Sequence, residues 1–395
     1  MASRPLLRVP VPPGRVGVEL LLPALRAALD GTGPAIAPVP TVSATVSADY
    51  VSTILAALRP DDPLDTDEAA IVLSTSGSTG APRGVLLSAA QATAFNEIAN
   101  GGGSPAWVAA LPVTSMGGCN VLVRALASGR APVVVPSIGG AGPFTPNDFA
   151  VAVADAARDG SEVRTSLVPA QLARLLDDEA GIAALQACSS VLVGGAATRP
   201  GLRQLAAERG IAVTTTYGAT ETAGGCIYGG MPLPDVAVAT DGDPGRVSIT
   251  SPSTALGYRL DPRASAEAFD GRTFHTQDLG HVDDAGMLTL LGRIDDVVVI
   301  GGVNVSPLAV EHIAGEGAGV RECAAVAVDV HTDRGPELHL FVVGDADGEA
   351  LRTSIVERLG MAARPTVHGV AALPHLPNGK VDRRALQERA AARRD

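Results

Sequence analysis

The sequence predicts an α/β protein: a large N-terminal domain of parallel sheets covered by helices with a small barrel-like β part, followed by a small α+β C-terminal domain. Three observations carry this. Apolar strand-like runs alternate with helical stretches as far as about residue 240. The texture then changes to short strands joined by Asp/Gly turns, in "GRVSITS" and "TFHTQDLGHVDDAGMLTLLGRIDDVVVIGG". From about Val303 a helix, two strands, another helix and a last strand follow closely.

Taken in order, "VELLLPALRAALDG" and "YVSTILAALRP" read as helices between Pro-rich connections. "AAIVLSTSGSTGAPRGVLLSAAQATAFNEIAN" reads as a strand over 70–73, a Ser/Thr/Gly loop, a second strand and a helix capped by Ser88. Strand-like "AWVAALPV", "APVVVPS", "TSLVPAQ", "SSVLVGGAA" and "IAVTTTYGATET" follow, with helical "NDFAVAVADAARDG" and "AQLARLLDDEA" among them. The domain boundary is expected near Arg293 to Asp296, giving domains 1–294 and 295–395.

Composition excludes several functions. Hydrophobic residues make up 46%, yet Gly, Pro, Arg or Asp interrupts every apolar stretch short of membrane-spanning length. The first thirty residues carry no apolar run backed by a cleavage site, so a cytoplasmic protein is expected. A net charge of −12 and 3% aromatic residues argue against nucleic acid as a partner. Cys119, Cys188, Cys226 and Cys323 form no CxxC pair and read as reduced and structural. All seven histidines lie at or beyond His275, so no Ser-His-Asp triad or histidine-rich metal site can be built within the first 274 residues. One lysine stands among 30 basic residues, Lys380 in "HLPNGKVDRRAL". GC-rich coding explains the scarcity but not the address; lysine offers a compact mobile charge where arginine offers a planar fork.

Three clusters are suited to chemistry. "STSGSTGAPRG" places glycines and hydroxyls between two strands, which suits a phosphate cradle or a plain surface turn, and it lacks the lysine of a Walker loop. "TTTYGATETAGGCIYGG" follows a strand end: Tyr217 can stack on a base, Thr220 can donate to a phosphate and Glu221 can hold Mg²⁺ by one oxygen, unless the segment is a turn with a capping glutamate. In "HTQDLGHVDDAGMLTLLGRIDD", Asp278 and Arg293 are suited to a ribose, although Asp-Gly pairs are mostly hairpin turns.

In order and spacing these stretches, ending in "PNGKVDRRAL", resemble the core motifs of the adenylate-forming superfamily of acyl-CoA ligases, adenylation domains and luciferases, from about residue 69 to 386. The resemblance implies ATP, Mg²⁺ and CoA as cofactors. Thr75, Ser76, Gly77, Ser78, Thr79 and Gly80 would hold the β,γ-phosphates. Gly194, Gly195 and Ala196 would line the adenine site with Tyr217 and Gly218, Thr220 would meet the α-phosphate and Glu221 would bind Mg²⁺. Asp278 and Arg293 would hold the ribose, Asp295 would be the hinge of a mobile C-terminal domain, and Gly301, Gly302 and Val303 would border the pantetheine path. Lys380 would be the catalytic lysine, bridging the attacking carboxylate and the α-phosphate.

Within the superfamily, "LPVTSMGGCNVLVRALASGRAPVV", "TSLVPAQLARLL" and "GGVNVSP" look most like compact 2-succinylbenzoate-CoA ligases of menaquinone biosynthesis. That likeness implies a small carboxylic acid as substrate, with a homodimer as a family-level expectation. Arg124 would then pair with a substrate carboxylate near Thr165, Ser166 and Gln171; the plain alternative is an ion pair on a helix surface. Two departures stand out. Thr114 occupies the place where the family commonly has histidine, which leaves open another aryl or short-chain acid, another oxyanion, or a carrier-protein thiol or amine as acceptor. Arg83 replaces the usual lysine of "GxPKG" with its charge retained and little consequence expected. A catalytically silent nucleotide-binding regulator is the reading from another class, and the retained Glu221, Asp278, Arg293 and Lys380 argue against it.

Overall fold

The computed structural model describes residues 4–75, 82–198, 200–294, 296–328, 336–375 and 381–392. Contacts divide the chain into two compact units: residues 1–198, 205–238 and 248–275, and residues 199–204, 239–247 and 276–395.

The first unit holds two sheets. One has the strand order Leu6–Val11, Ala35–Pro40, Ala69–Ser74, Gly84–Ser88, Gly257–Tyr258. Its first three strands are parallel; Gly84–Ser88 returns antiparallel because only a short loop joins it to Ala69–Ser74. The other sheet has the order Met231–Pro232, Gly224–Tyr228, Val213–Ala219, Cys188–Val193, Val163–Leu167, Ala106–Ala109, Val133–Val134, and its last five strands are parallel. From Ala106–Ala109 the chain steps outward through helix Met116–Ala127 to Val133–Val134, then crosses back through helix Pro146–Ala156 to Val163–Leu167 and continues the other way. The winding therefore reverses between Ala106–Ala109 and Val163–Leu167, and the carboxyl ends of strands at such a point open the ligand crevice of an α/β sheet.

One apolar layer lies between the two sheets. It draws Leu21 and Leu25 from helix Arg15–Leu29, Ile36, Ile71 and Leu87 from the first sheet, Trp107 from the second and Leu122 from helix Met116–Ala127. Each such side chain contributes about 2 kcal/mol on burial. The stretch after Ser88 is two short helices, Ala89–Thr93 and Asn96–Asn100, because Phe95 leaves helical backbone angles at φ −113°, ψ 17°. Ser88 caps the first of them, with a reciprocal bond from Gln91.

In the second unit, strands Val320–Val328, Glu337–Gly344 and Thr366–Gly369 form a sheet buried on both faces. Leu338, Leu340 and Val342 pack with Val310, Ile313, Leu351 and Ile355 of helices Pro307–Gly315 and Gly348–Leu359. Phe341 and Val343, on the alternate face, pack with Leu386 and Ala390 of helix Arg383–Ala392. The division between units falls inside strand Thr273–Val282, which pairs from Asp278 to Val282 with Leu288–Arg293. The strands read as a barrel-like part follow an open path: Ala237–Gly242, Gly245–Thr250, Thr273–Val282, Phe269–Asp270, with Leu288–Arg293 on Thr273–Val282.

The four cysteines are free thiols; burial pushes Cys119 and Cys188 up to about 12 and Cys226 up to about 11. Among the described residues no helix is long and apolar enough to cross a membrane.

Candidate active site

Strand Val213–Ala219 is hydrogen-bonded on both sides, yet each of its seven residues is partly exposed. A central strand in that state borders open space on both faces. It also outruns its neighbour: pairing with Cys188–Val193 ends at Val193 and Thr215, and beyond that point the chain turns away through Gly194, Gly195 and Ala196. A Cβ on Gly194 would lie 2.4 Å from Thr216 Oγ1, and Gly195 sits at φ 81°, so both positions demand glycine. Gly218 is likewise fixed, since a Cβ there would lie 2.0 Å from the Gly224 carbonyl. Tyr217 stands opposite Ile227, on the face away from Thr216.

Thr220, Glu221 and Thr222 make a single 3₁₀ turn at the end of this strand. The turn is held on three sides. Ala219 N–H donates to Thr222 Oγ1 at 2.9 Å, Ala255 N–H donates to the Glu221 carbonyl at 2.8 Å, and Asn120 Nδ2 donates to the Ala223 carbonyl at 2.8 Å. Ala223 itself lies in the left-handed region at φ 47°, a conformation that costs a non-glycine residue about 1 kcal/mol and that the Asn120 bond offsets.

The Glu221 carboxylate is buried, and its Oε1 accepts from the Tyr258 hydroxyl at 2.9 Å. Burial, reinforced by that carboxylate, raises the Tyr258 phenol well above its ordinary value and keeps it a donor. The Arg83 guanidinium lies over the Tyr258 ring, 5.1 Å from its centroid. Arg83 also closes the Ser/Thr/Gly loop: its N–H donates to Thr75 Oγ1 at 2.9 Å, and Thr75 N–H donates to the Arg83 carbonyl at 2.8 Å. Arg83 thus has a stacking partner that a lysine would serve less well, although little consequence was expected of its standing in place of lysine. Ser76, Gly77, Ser78, Thr79 and Gly80 lie outside the described residues. Tyr258 was not anticipated as a site residue; its signal was a tyrosine directly after a glycine in a chain with only four tyrosines.

At the winding reversal the structure gathers the residues expected for the acid. Arg124 is 7% exposed, with its guanidinium 5.3 Å from the Trp107 ring centroid and Nη2 3.3 Å from the Tyr228 hydroxyl. Among the described residues no carboxylate pairs with it, so the surface ion pair is excluded. Asn100 braces this corner by accepting from Trp107 Nε1 at 2.8 Å and donating to the Arg124 carbonyl at 3.2 Å. Strand register puts Trp107, Ser166, Leu192, Thr214, Thr216 and Tyr228 on one face of the sheet. Ser166 Oγ is buried and has no hydrogen-bond partner among the described residues. Thr165 Oγ1 donates to the Val108 carbonyl at 3.0 Å, and Gln171 bonds the Val168 N–H at 3.1 Å and the Ala110 carbonyl at 3.0 Å, so both are engaged by backbone. Thr114 is half-buried beside Ser115, the N-cap of helix Met116–Ala127.

In the second unit, Asp278 and Arg293 are direct cross-strand partners, with Nη1 3.7 Å from Oδ1. Gly301 and Gly302, at φ 58° and 83°, form the two-residue turn between Val298–Ile300 and Val303–Val305. Asp295 and Lys380 lie outside the described residues. The chain on either side of the lysine segment is pinned: His375 bridges Val381, His375 Nε2 lies 3.0 Å from Glu322 Oε1, and Arg383 forks onto Glu311 at 2.6 and 3.0 Å.

Residues 26–258 match the family model of the AMP-binding enzymes. The chain belongs to that family. The match contains Thr75, Gly194, Tyr217, Glu221 and Arg124 and ends on Tyr258. This AMP-binding enzyme is 38% identical over 393 residues to a probable 2-succinylbenzoate–CoA ligase of Mycobacterium tuberculosis (strain ATCC 25618 / H37Rv), covering 97% of this chain and 98% of the relative. Its fold is that of the amide bond synthetase McbA from Marinactinospora thermotolerans, with a TM-score of 0.75 at 24% identity over 99% of this chain and 90% of that one. It is also that of the o-succinylbenzoate CoA synthetase MenE from Bacillus subtilis in complex with the acyl-adenylate intermediate OSB-AMP, with a TM-score of 0.73 at 20% identity over 98% and 89%.

Proposed function

We propose that this AMP-binding enzyme is an AMP-forming acid–thiol ligase that converts 2-succinylbenzoate to 2-succinylbenzoyl-CoA, a step of menaquinone biosynthesis. Full-length similarity to a ligase of that name supports the reaction. The observation that carries the substrate is Arg124, a buried guanidinium with no carboxylate partner among the described residues, on the sheet face that also bears the unpartnered Ser166 hydroxyl. A buried cation in that state stabilises an incoming anion, and 2-succinylbenzoate carries a second carboxylate that is not activated.

In the first half-reaction a carboxylate oxygen of the acid bonds to the α-phosphorus of ATP and the bond to pyrophosphate breaks. Glycines 194 and 195 admit the nucleotide beside strand Val213–Ala219, Tyr217 stacks on adenine, Thr220 donates to the α-phosphate, and Lys380 bridges the attacking oxygen and that phosphate. Magnesium fits Glu221: the carboxylate is buried and oriented, and among the described residues no group of three or more ligating side chains gathers anywhere. A site of one carboxylate completed by phosphates suits Mg²⁺, which neutralises phosphate charge when bound. In the second half-reaction the CoA thiol sulfur bonds to the acyl carbon, AMP leaves with the electron pair, and the thiol proton passes to solvent. A hinge at Asp295, between residues 1–294 and 295–395, withdraws Lys380 and brings Gly301 and Gly302 beside the pantetheine, and Asp278 with Arg293 holds the ribose.

The test is mass spectrometry of products after incubation with ATP, Mg²⁺, CoA and 2-succinylbenzoate beside a panel of aryl and aliphatic acids. Formation of 2-succinylbenzoyl-CoA with AMP is the expected result. Turnover confined to another acid would overturn the substrate assignment, and adenylate without thioester would overturn CoA as the acceptor.

A further inference from the structure

Helix Met116–Ala127 lays one stripe, Met116, Asn120 and Arg124, along strand Gly224–Tyr228. Arg124 reaches Tyr228 at the far end of the strand, and one helical turn earlier Asn120 meets its start. Asn120 is buried, and its Nδ2 donates to the Ala223 carbonyl at 2.8 Å. Gly224 admits the amide, since a Cβ there would lie 2.2 Å from Nδ2. Ala223 is the residue at which the chain reverses. Its N–H closes the 3₁₀ turn on the Thr220 carbonyl at 3.1 Å, its left-handed backbone at φ 47°, ψ 36° swings the chain back, and Gly224 then pairs antiparallel with Ala219. Alanine takes that conformation less readily than glycine, and the support comes from a side chain 103 positions away.

We propose that Asn120 is a positioning residue: by holding Ala223 in the left-handed conformation it sets the turn that presents Thr220 and Glu221 to the nucleotide and its magnesium. The inference rests on the reading of Glu221 as the magnesium carboxylate. Glu221 lies two residues before Ala223, inside the turn that Ala223 closes. Two other bonds brace the same turn, from Ala255 N–H to the Glu221 carbonyl at 2.8 Å and from Thr222 Oγ1 to the Gly224 carbonyl at 2.9 Å, but neither touches Ala223. Without the amide, the buried Ala223 carbonyl lacks this donor and its backbone is drawn toward the right-handed region near φ −60°, a rotation of about 100°. Strand Gly224–Tyr228 is paired on both sides in its sheet, so the turn is the part that moves. Asn120 therefore governs the direction of the Glu221 carboxylate from the same helix face that offers Arg124 to the acid.

The experiment is isothermal calorimetry of ATP binding on the full chain as Mg²⁺ is titrated, for wild type, Asn120→Ala, Ala223→Gly, the double variant and Glu221→Gln, with thermal melts lacking nucleotide to check folding. In Asn120→Ala the Mg²⁺ concentration giving half-maximal ATP binding rises about tenfold, the size of a hydrogen bond lost from a buried carbonyl. Glycine holds a left-handed backbone unaided, so in the Ala223→Gly background the same substitution raises it by about threefold at most. A wild-type Mg²⁺ dependence in folded Asn120→Ala, while Glu221→Gln loses it, would overturn the positioning role and leave the metal role of Glu221 standing. An equal rise in both backgrounds would overturn the route through Ala223. If Glu221→Gln also keeps the wild-type dependence, the underlying reading fails. Should Asn120→Ala alone not fold, the double variant is compared with Ala223→Gly, and a rise of about tenfold there overturns the proposal.

Discussion

Replacing Arg124 with methionine keeps most of the apolar stem and removes the charge. In the folded chain that charge is 7% exposed, faces the Trp107 ring at 5.3 Å and donates to one neutral hydroxyl at 3.3 Å. A cation over an aromatic face gains about 2 kcal/mol when desolvated and a neutral hydrogen bond about 1 kcal/mol, while the effective cost of burying an ion is several kcal/mol. Arg124 is therefore close to neutral or a net liability for stability, and the liability is relieved when an anion binds. Thermal stability of Arg124→Met should stay level or rise. For an acid whose far end is a carboxylate, kcat/KM should fall by roughly 100- to 1000-fold, matching about 3–4 kcal/mol for a lost buried charge pair. Steady-state kinetics on 2-succinylbenzoate and on an analogue lacking the second carboxylate provide the measurement, and the analogue should lose far less. A folded variant with an unchanged preference between the two acids, or a large drop in melting temperature, would refute the reasoning and return Arg124 to a structural role.

The remaining predictions follow from the same geometry. Lys380→Ala should lose roughly 100- to 1000-fold in adenylation and still convert supplied acyl-adenylate with CoA; loss of both half-reactions in a folded variant would remove the lysine from the role assigned. Arg259→Met should cost about 4 kcal/mol in urea denaturation, because the fully buried guanidinium serves the Leu58, Arg59, Asp62 and Pro63 carbonyls and pairs with Asp65, all of which would be left wanting. Stability of the second unit should decline as pH falls below about 6.5. Burial lowers the pKa of His339 and of His312 from the ordinary value of 6.5, so below it the unfolded chain binds protons that the fold does not. His339 Nδ1 lies 2.9 Å from His368 Nε2, a spacing that holds one proton between two rings, and denaturation at pH 7.5 and 5.5 for wild type and His339→Leu should show the slope flattened in the variant.

The adenylate-forming motifs were legible because each depends on residue types at fixed local spacing. Glycine at 218 is dictated by a backbone approach that no side chain permits, and the helix start at Ser88 is written in its capping residue. The C-terminal helix Arg383–Ala392 escaped notice because only Leu386 and Ala390 are buried on it, too few to give an apolar period in a charged segment.

The sequence by itself determined the family chemistry, the absence of histidine from the first 274 residues and the single address of lysine, because these are matters of which residues exist and in what order. Only the tertiary structure decided what each polar group has left to offer. Thr165 and Gln171 are engaged by backbone carbonyls and amides, Ser166 and Arg124 keep groups that no described carboxylate or acceptor satisfies, and Tyr258 reaches a glutamate 37 residues away. Such partnerships depend on strand register and burial between elements distant in sequence, and burial sets the worth of each hydrogen bond, so no local pattern encodes them.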